Sequence, residues 1–121
     1  PYCLKLAVPM GLVYKVFLHG EKILGCNACK THFATHEHIM SKSFHGQYGR
    51  AYLFSNVINV YTGEAEDRSM RTGLHTVQDI HCAECSTVVG WKYLVAYEEQ
   101  EQYKEGRFIL ERTLLQYMSS T

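Results

Sequence analysis

The chain has 121 residues, with 12 Lys and Arg against 12 Asp and Glu, seven His, five Cys and 46% hydrophobic residues. That length fits one domain with room for a real core and excludes intrinsic disorder as the default. The zero formal charge lacks the cationic surplus that phosphate contacts require, so nucleic acid is not an expected partner.

Residues 4–18 are interrupted by Lys5, Pro9, Gly11 and Lys15, which breaks any run of the ~18 apolar residues a membrane span needs. A soluble protein with no membrane partner is therefore expected. The chain begins at Pro1 with no secretory pattern. It reads as a trimmed chain, with any address signal outside it, and an intracellular location is expected.

In chain order, residues 14–19 carry the β-branched and aromatic content of a strand, and Gly20-Glu21-Lys22 reads as a turn. A first C-x-x-C follows at Cys26 and Cys29. Gly46 and Gly49 break the middle of the chain, ahead of strands predicted over residues 50–54 and 57–61. Residues 62–73, with Gly63, Gly73 and several charges, read as a charged loop, and a second C-x-x-C stands at Cys82 and Cys85. The long run 87–97, with Val88, Val89, Trp91, Tyr93, Leu94, Val95 and Tyr97, predicts a central strand. Residues 98–106 hold four acidic residues and one lysine, a solvated connection or, alternatively, a docking patch for a basic partner. In residues 108–118, Phe108 and Leu110 fit strand alternation, while Leu110, Leu114, Leu115 and Met118 fit a helical stripe. The reading is mostly β, with two distant hairpins joined through their cysteines.

Those cysteines carry the chemistry. A C-x-x-C turn aims two sulfurs at one point, and two such turns supply the four thiolates of a closed, structural zinc site. Fifty-two residues separate the pairs. Closing such a loop costs about 4 kcal/mol, against the ~10–16 kcal/mol that zinc supplies to a thiolate site at neutral pH. One structural Zn²⁺ on Cys26, Cys29, Cys82 and Cys85 is thus expected, with a fold that depends on it. Paired disulfides or a redox C-x-x-C fit less well, since nothing suggests secretion and no βαβ pattern surrounds either pair. Four sulfur ligands leave no open position for a catalytic water. His32, His36 and His38 follow the first pair, and His75 and His81 precede the second. They read as structural hydrogen-bonding groups, the alternative being a second metal or a general base. His81, next to Cys82, falls on the opposite face of a strand.

The sequence around the knuckles resembles the yippee-like family. The resemblance is carried by Cys26-Asn-Ala-Cys29-Lys-Thr-His32-Phe-Ala-Thr-His36, Ser41-Lys-Ser-Phe44-His-Gly46, Gly49-Arg-Ala-Tyr-Leu-Phe54 and Val57-Ile-Asn-Val60. It continues through Thr72-Gly-Leu-His75, Asp79-Ile-His-Cys82-Ala-Glu-Cys85, Gly90-Trp-Lys-Tyr93 and Tyr103-Lys-Glu-Gly106-Arg-Phe-Ile-Leu-Glu111. Residues 1–19 match less well and read as an N-terminal extension and first strand, ahead of a single yippee-type zinc-binding domain over 20–118. Cys3 lies outside the pattern.

The resemblance implies a β-tent fold, two antiparallel sheets pinned by a Cys₄ zinc, similar to cereblon's thalidomide-binding domain, centromere-priming proteins and zinc-containing methionine sulfoxide reductases. It also implies a non-catalytic regulatory protein that binds other proteins in the nucleus, cytoplasm, centrosome or spindle, or in ubiquitin-ligase assemblies. A sulfoxide reductase would need a nucleophilic cysteine after the second knuckle, and none follows Cys85. The Gly90-Trp91-Lys92 segment is similar to one wall of cereblon's aromatic cage. A pocket for a small ligand or modified peptide would then be built from Trp91, Tyr52, Phe54, His75 and Tyr93, because Met70 and Val77 stand where the other cage tryptophans are expected. The competing expectation buries Trp91 between the sheets.

Overall fold

The computed structural model describes residues 2–5 and 15–120. Strands β1 (Tyr2–Lys5) and β2 (Lys15–Leu18) form an antiparallel ribbon. Strands β3 (Gly20–Cys26), β4 (His32–Thr35) and β11 (Leu115–Ser120) form a three-stranded antiparallel sheet in the order β11-β3-β4. The main sheet has six antiparallel strands: β5 (Ile39–Gly46), β6 (Gly49–Phe54), β7 (Val60–Met70), β8 (Gly73–Cys82), β9 (Val88–Ala96) and β10 (Phe108–Glu111). Their order is β5-β6-β10-β9-β8-β7. The mostly-β, two-sheet expectation is met, with the β1–β2 ribbon as an addition. Tyr14, the first residue of the strand predicted over 14–19, lies outside the described residues.

The central strands are apolar on both faces because both faces are covered. On β6, Tyr52 and Phe54 point toward the three-stranded sheet and join Leu24, Phe33, Ile80, Val89, Leu110 and Leu115 in the larger core. Ala51 and Leu53 point the other way, into a second cluster with Val77, Tyr93 and Ile109, against which Phe44, Met70 and Trp91 pack. Strand β10 is threaded between β6 and β9 and repeats the division, Leu110 on the first face and Ile109 on the second.

Four sequence expectations change. Most of the predicted charged loop at 62–73 is the edge strand β7, which pairs with β8 from Val60 opposite Cys82 to Met70 opposite Gly73. This edge strand is mostly exposed and meets the two cores only at its ends, through Val60 and Met70, so the side chains between need no apolar alternation. Charges also cross the pair, Arg68 reaching Asp79 at 2.8 Å. Over 57–61, only Val60 and Tyr61 are in a strand, because Asn59 adopts φ 59° and interrupts the extended backbone. Residues 108–118 form neither one strand nor one helix: β10 and β11 are separated by a single 3-10 turn (Arg112–Leu114), and each enters a different sheet. Gly20-Glu21-Lys22, predicted as a turn, opens β3, with Lys22 at φ 58°.

Candidate metal centre and the concave face of the main sheet

Cys26 ends β3 and Cys82 ends β8, and the turns that follow repeat each other nearly atom for atom. In the first, the Cys26 N–H donates to Thr31 O (2.8 Å) and the Lys30 N–H to Cys26 O (2.7 Å). In the second, the Cys82 N–H donates to Thr87 O (2.9 Å) and the Ser86 N–H to Cys82 O (2.8 Å). Lys30 and Ser86 occupy equivalent left-handed positions, φ 67° and 64°. The hydroxyls of Thr31 and Thr87 lie 3.1 Å from the sulfurs of Cys29 and Cys85, placed to donate to thiolates. The cysteine spacing alone does not single out these two threonines; the repeated C-x-x-C-x-T is their signal in the sequence.

All four sulfurs lie within 4.8 Å of one another. Cys26 and Cys85 approach to 3.7 Å and Cys29 and Cys82 to 3.5 Å. A tetrahedral ion with metal–sulfur bonds of about 2.3 Å places its sulfurs about 3.8 Å apart, so the residues fit a closed four-thiolate metal site. Burial pushes the Cys26 thiol up to about 12 and raises Cys82 as well. The exposed Cys85 is held at about 6, chiefly by the Thr87 hydroxyl. Two of the four sulfurs therefore resist ionising until a cation arrives.

The histidines are taken up elsewhere. His32 Nδ1 accepts the Leu18 N–H (2.9 Å), and burial lowers its pKa. His36 Nδ1 contacts the Tyr117 hydroxyl (3.0 Å), and His38 Nδ1 contacts the Thr35 hydroxyl (3.0 Å). His81 stacks on Tyr61 at 4.7 Å and reaches Ser86 O with Nδ1. Among the described residues, the four cysteines form the only metal-sized group of His, Cys, Asp and Glu.

Asn59 links this centre to the N-terminal ribbon. Its side-chain amide donates to Val16 O and His32 O, both at 2.7 Å, and its Oδ1 accepts the Val16 N–H at 3.1 Å. Its backbone carbonyl accepts the Ala83 N–H inside the second knuckle (2.9 Å).

On the far face of the main sheet lies a concavity of about 830 Å³. A bulge on β9 makes its floor. Ile80 pairs with Gly90 and His81 with Val88, so Val89 is an extra residue that turns inward and Trp91 emerges on the opposite face. Trp91 is half-buried in that floor rather than enclosed between the sheets. Of the other residues named for a pocket, Tyr93 lines the concavity, whereas Tyr52 and Phe54 face the opposite core. His75 is fully buried, 5.1 Å from the Tyr93 ring.

The walls come from the β5–β6 hairpin, the β7–β8 hairpin and a 3-10 segment (Glu99–Lys104). That segment belongs to the stretch read as a solvated connection, yet Lys104 is 3% exposed. Its Nζ is bound to Glu101 (2.8 Å) and Thr72 (3.0 Å) and lies over the rings of Phe44 and Tyr93. A cation already covers the aromatic faces here, and it is the protein's own.

A family model described as "Yippee zinc-binding/DNA-binding /Mis18, centromere assembly" matches residues 22–121. A yippee-like protein of Arabidopsis thaliana is 54% identical over 103 residues, covering 85% of this chain and 80% of its own. Human yippee-like 3 is 54% identical over 86 residues, 71% of this chain and 72% of its own. The crystal structure of the Mis18 yippee-like domain superposes with a TM-score of 0.64 at 15% identity, covering 82% of this chain and 96% of that domain, a likeness of fold. The matched span 22–121 contains both knuckles and all six strands of the main sheet, and this chain belongs to the yippee family.

Proposed function

We propose that this chain is a zinc-stabilised, non-catalytic protein-interaction module of a regulatory assembly. The convergence of four thiols on one point, joining the ends of β3 and β8, supports zinc as the element that holds the two sheets together. A tetrahedral Cys₄ set is saturated by its own ligands, which suits a structural metal rather than a hydrolytic one. Among the described residues, no helix is long and apolar enough to cross a membrane. Nuclear, centrosomal or ubiquitin-ligase association is our reading from the family and its centromere-assembly description. Metal analysis of the purified chain should return one zinc per chain. Chelation should abolish its cooperative thermal transition, and a metal-free chain that melts unchanged overturns the reading.

The concavity favours a second reading, a site for a small ligand or modified peptide. Its floor carries the only tryptophan in the sequence, so ligand binding should change the intrinsic fluorescence directly. Capture of partner proteins that is lost in a folded Trp91→Ala variant supports the concave site. Capture that survives places the partner elsewhere on the surface.

A further inference from the structure

The two knuckles are alike in backbone and unlike in cover. The first is backed on one side by β11 and the turn before it: Leu115 pairs with Cys26, the Asn27 N–H donates to Leu114 O (3.0 Å), and Met118 fills the space beside Gly25. The second is braced from the β7 side, where the Ala83 N–H donates to Asn59 O and the Tyr61 hydroxyl to Ser86 Oγ, both at 2.9 Å. The consequence is unequal access. Cys82 and Cys26 are 0% and 1% exposed, Cys29 is partly covered, and Cys85 is open to solvent. The Cys85 sulfur lies 3.7 Å from that of Cys26, across the two knuckles.

We propose that Cys85 is a modification site at which a small peroxide opens the four-sulfur centre, and that Cys85 then joins Cys26 in a disulfide linking the two knuckles. The proposal rests on the four-thiolate metal reading above. In the first step the Cys85 sulfur attacks one peroxide oxygen: an S–O bond forms, the O–O bond breaks, and hydroxide leaves and is protonated to water. In the second, the Cys26 sulfur attacks the Cys85 sulfur: the S–S bond forms, the S–O bond breaks, and a second hydroxide leaves as water. The two sulfurs together lose two electrons and one peroxide gains them. Cys29 and Cys82 alone cannot close a tetrahedral site, so the metal is released while β3 and β8 stay joined covalently. The oxidised chain should therefore keep a cross-link that the chelated chain lacks.

The test uses the full zinc-loaded chain carrying Cys3→Ser, which removes the fifth thiol from exchange. Before oxidation, N-ethylmaleimide should label Cys85 at least about tenfold faster than Cys26 or Cys82, as expected for the accessible thiol. On titration with hydrogen peroxide, zinc release measured with a chromogenic chelator should track one Cys26–Cys85 disulfide per metal, mapped by mass spectrometry and reversed by a thiol reductant with added zinc. Cys85→His keeps a zinc ligand without a thiol and should hold its metal against peroxide. Equal labelling of the cysteines, a first disulfide elsewhere in the set, or equally fast zinc loss from Cys85→His overturns the proposal. A purified chain without metal overturns the zinc reading beneath it.

Discussion

Val89 and Trp91 stand two residues apart on one strand and face opposite sides of the sheet, Val89 in the core beside Leu110 and Trp91 in the floor of the concavity. Simple alternation would place both on one face. The extra residue in the bulge reverses the phase, and Gly90 permits it. A Cβ on Gly90 would lie 1.8 Å from the Ile109 carbonyl oxygen, a backbone atom that cannot step aside. Gly90→Ala should therefore cost about 3 kcal/mol or more, at the upper end of overpacking effects. Urea denaturation checks this against Gly63→Ala, where the nearest atom is 3.7 Å away and little change is expected.

Asn59 ties the β2 backbone to β4 and to the second knuckle with three side-chain hydrogen bonds and one backbone bond. At about 1 kcal/mol for each side-chain bond, and with a left-handed backbone that a Cβ disfavours, Asn59→Ala should lose about 2–4 kcal/mol. Amide hydrogen exchange at Val16 should accelerate. Asn59→Gly should recover the backbone share alone and leave Val16 exchanging fast.

Removing the Lys104 ammonium while leaving Glu101 16% exposed beneath the same wall strands a carboxylate. Lys104→Met should destabilise the fold by about 3 kcal/mol, in line with breaking a largely buried pair. Adding Glu101→Gln should restore much of that loss, and a double-mutant cycle measures the coupling. If the two single losses simply add, Lys104 and Glu101 are not energetically coupled.

Metal affinity should rise with pH, because the ligands must be thiolates. Cys85 ionises near 6, whereas the Cys26 thiol is pushed up to about 12 by burial. At neutral pH the metal must therefore displace protons from the buried sulfurs, and below about pH 6 from Cys85 as well. Calorimetry in two buffers of different ionisation enthalpy should register net proton release at neutral pH, and competition with a chelator should show affinity falling steadily on acidification. Binding independent of pH would contradict thiolate ligation.

The four sulfurs were legible before any fold was known, because a repeated C-x-x-C is a local motif whose chemistry depends on spacing alone. Strands β6 and β9 were legible for a similar reason, since strands buried on both faces are written in β-branched and aromatic residues. Strand β7 was not, because an exposed edge carries no apolar signal. The segment 108–118 was ambiguous because its leucines serve two different sheets.

By itself the sequence determined the residue types that can bind a metal and the approximate places where the chain must turn. The tertiary structure alone decided which way those side chains face. A one-residue bulge put Trp91 in the concavity, β6 sent Tyr52 and Phe54 into the opposite core, and the C-terminal strand covered one knuckle while leaving Cys85 open. The physical reason is that strand register and cover are set by neighbours distant in sequence, and a shift of one residue exchanges the two faces of a sheet.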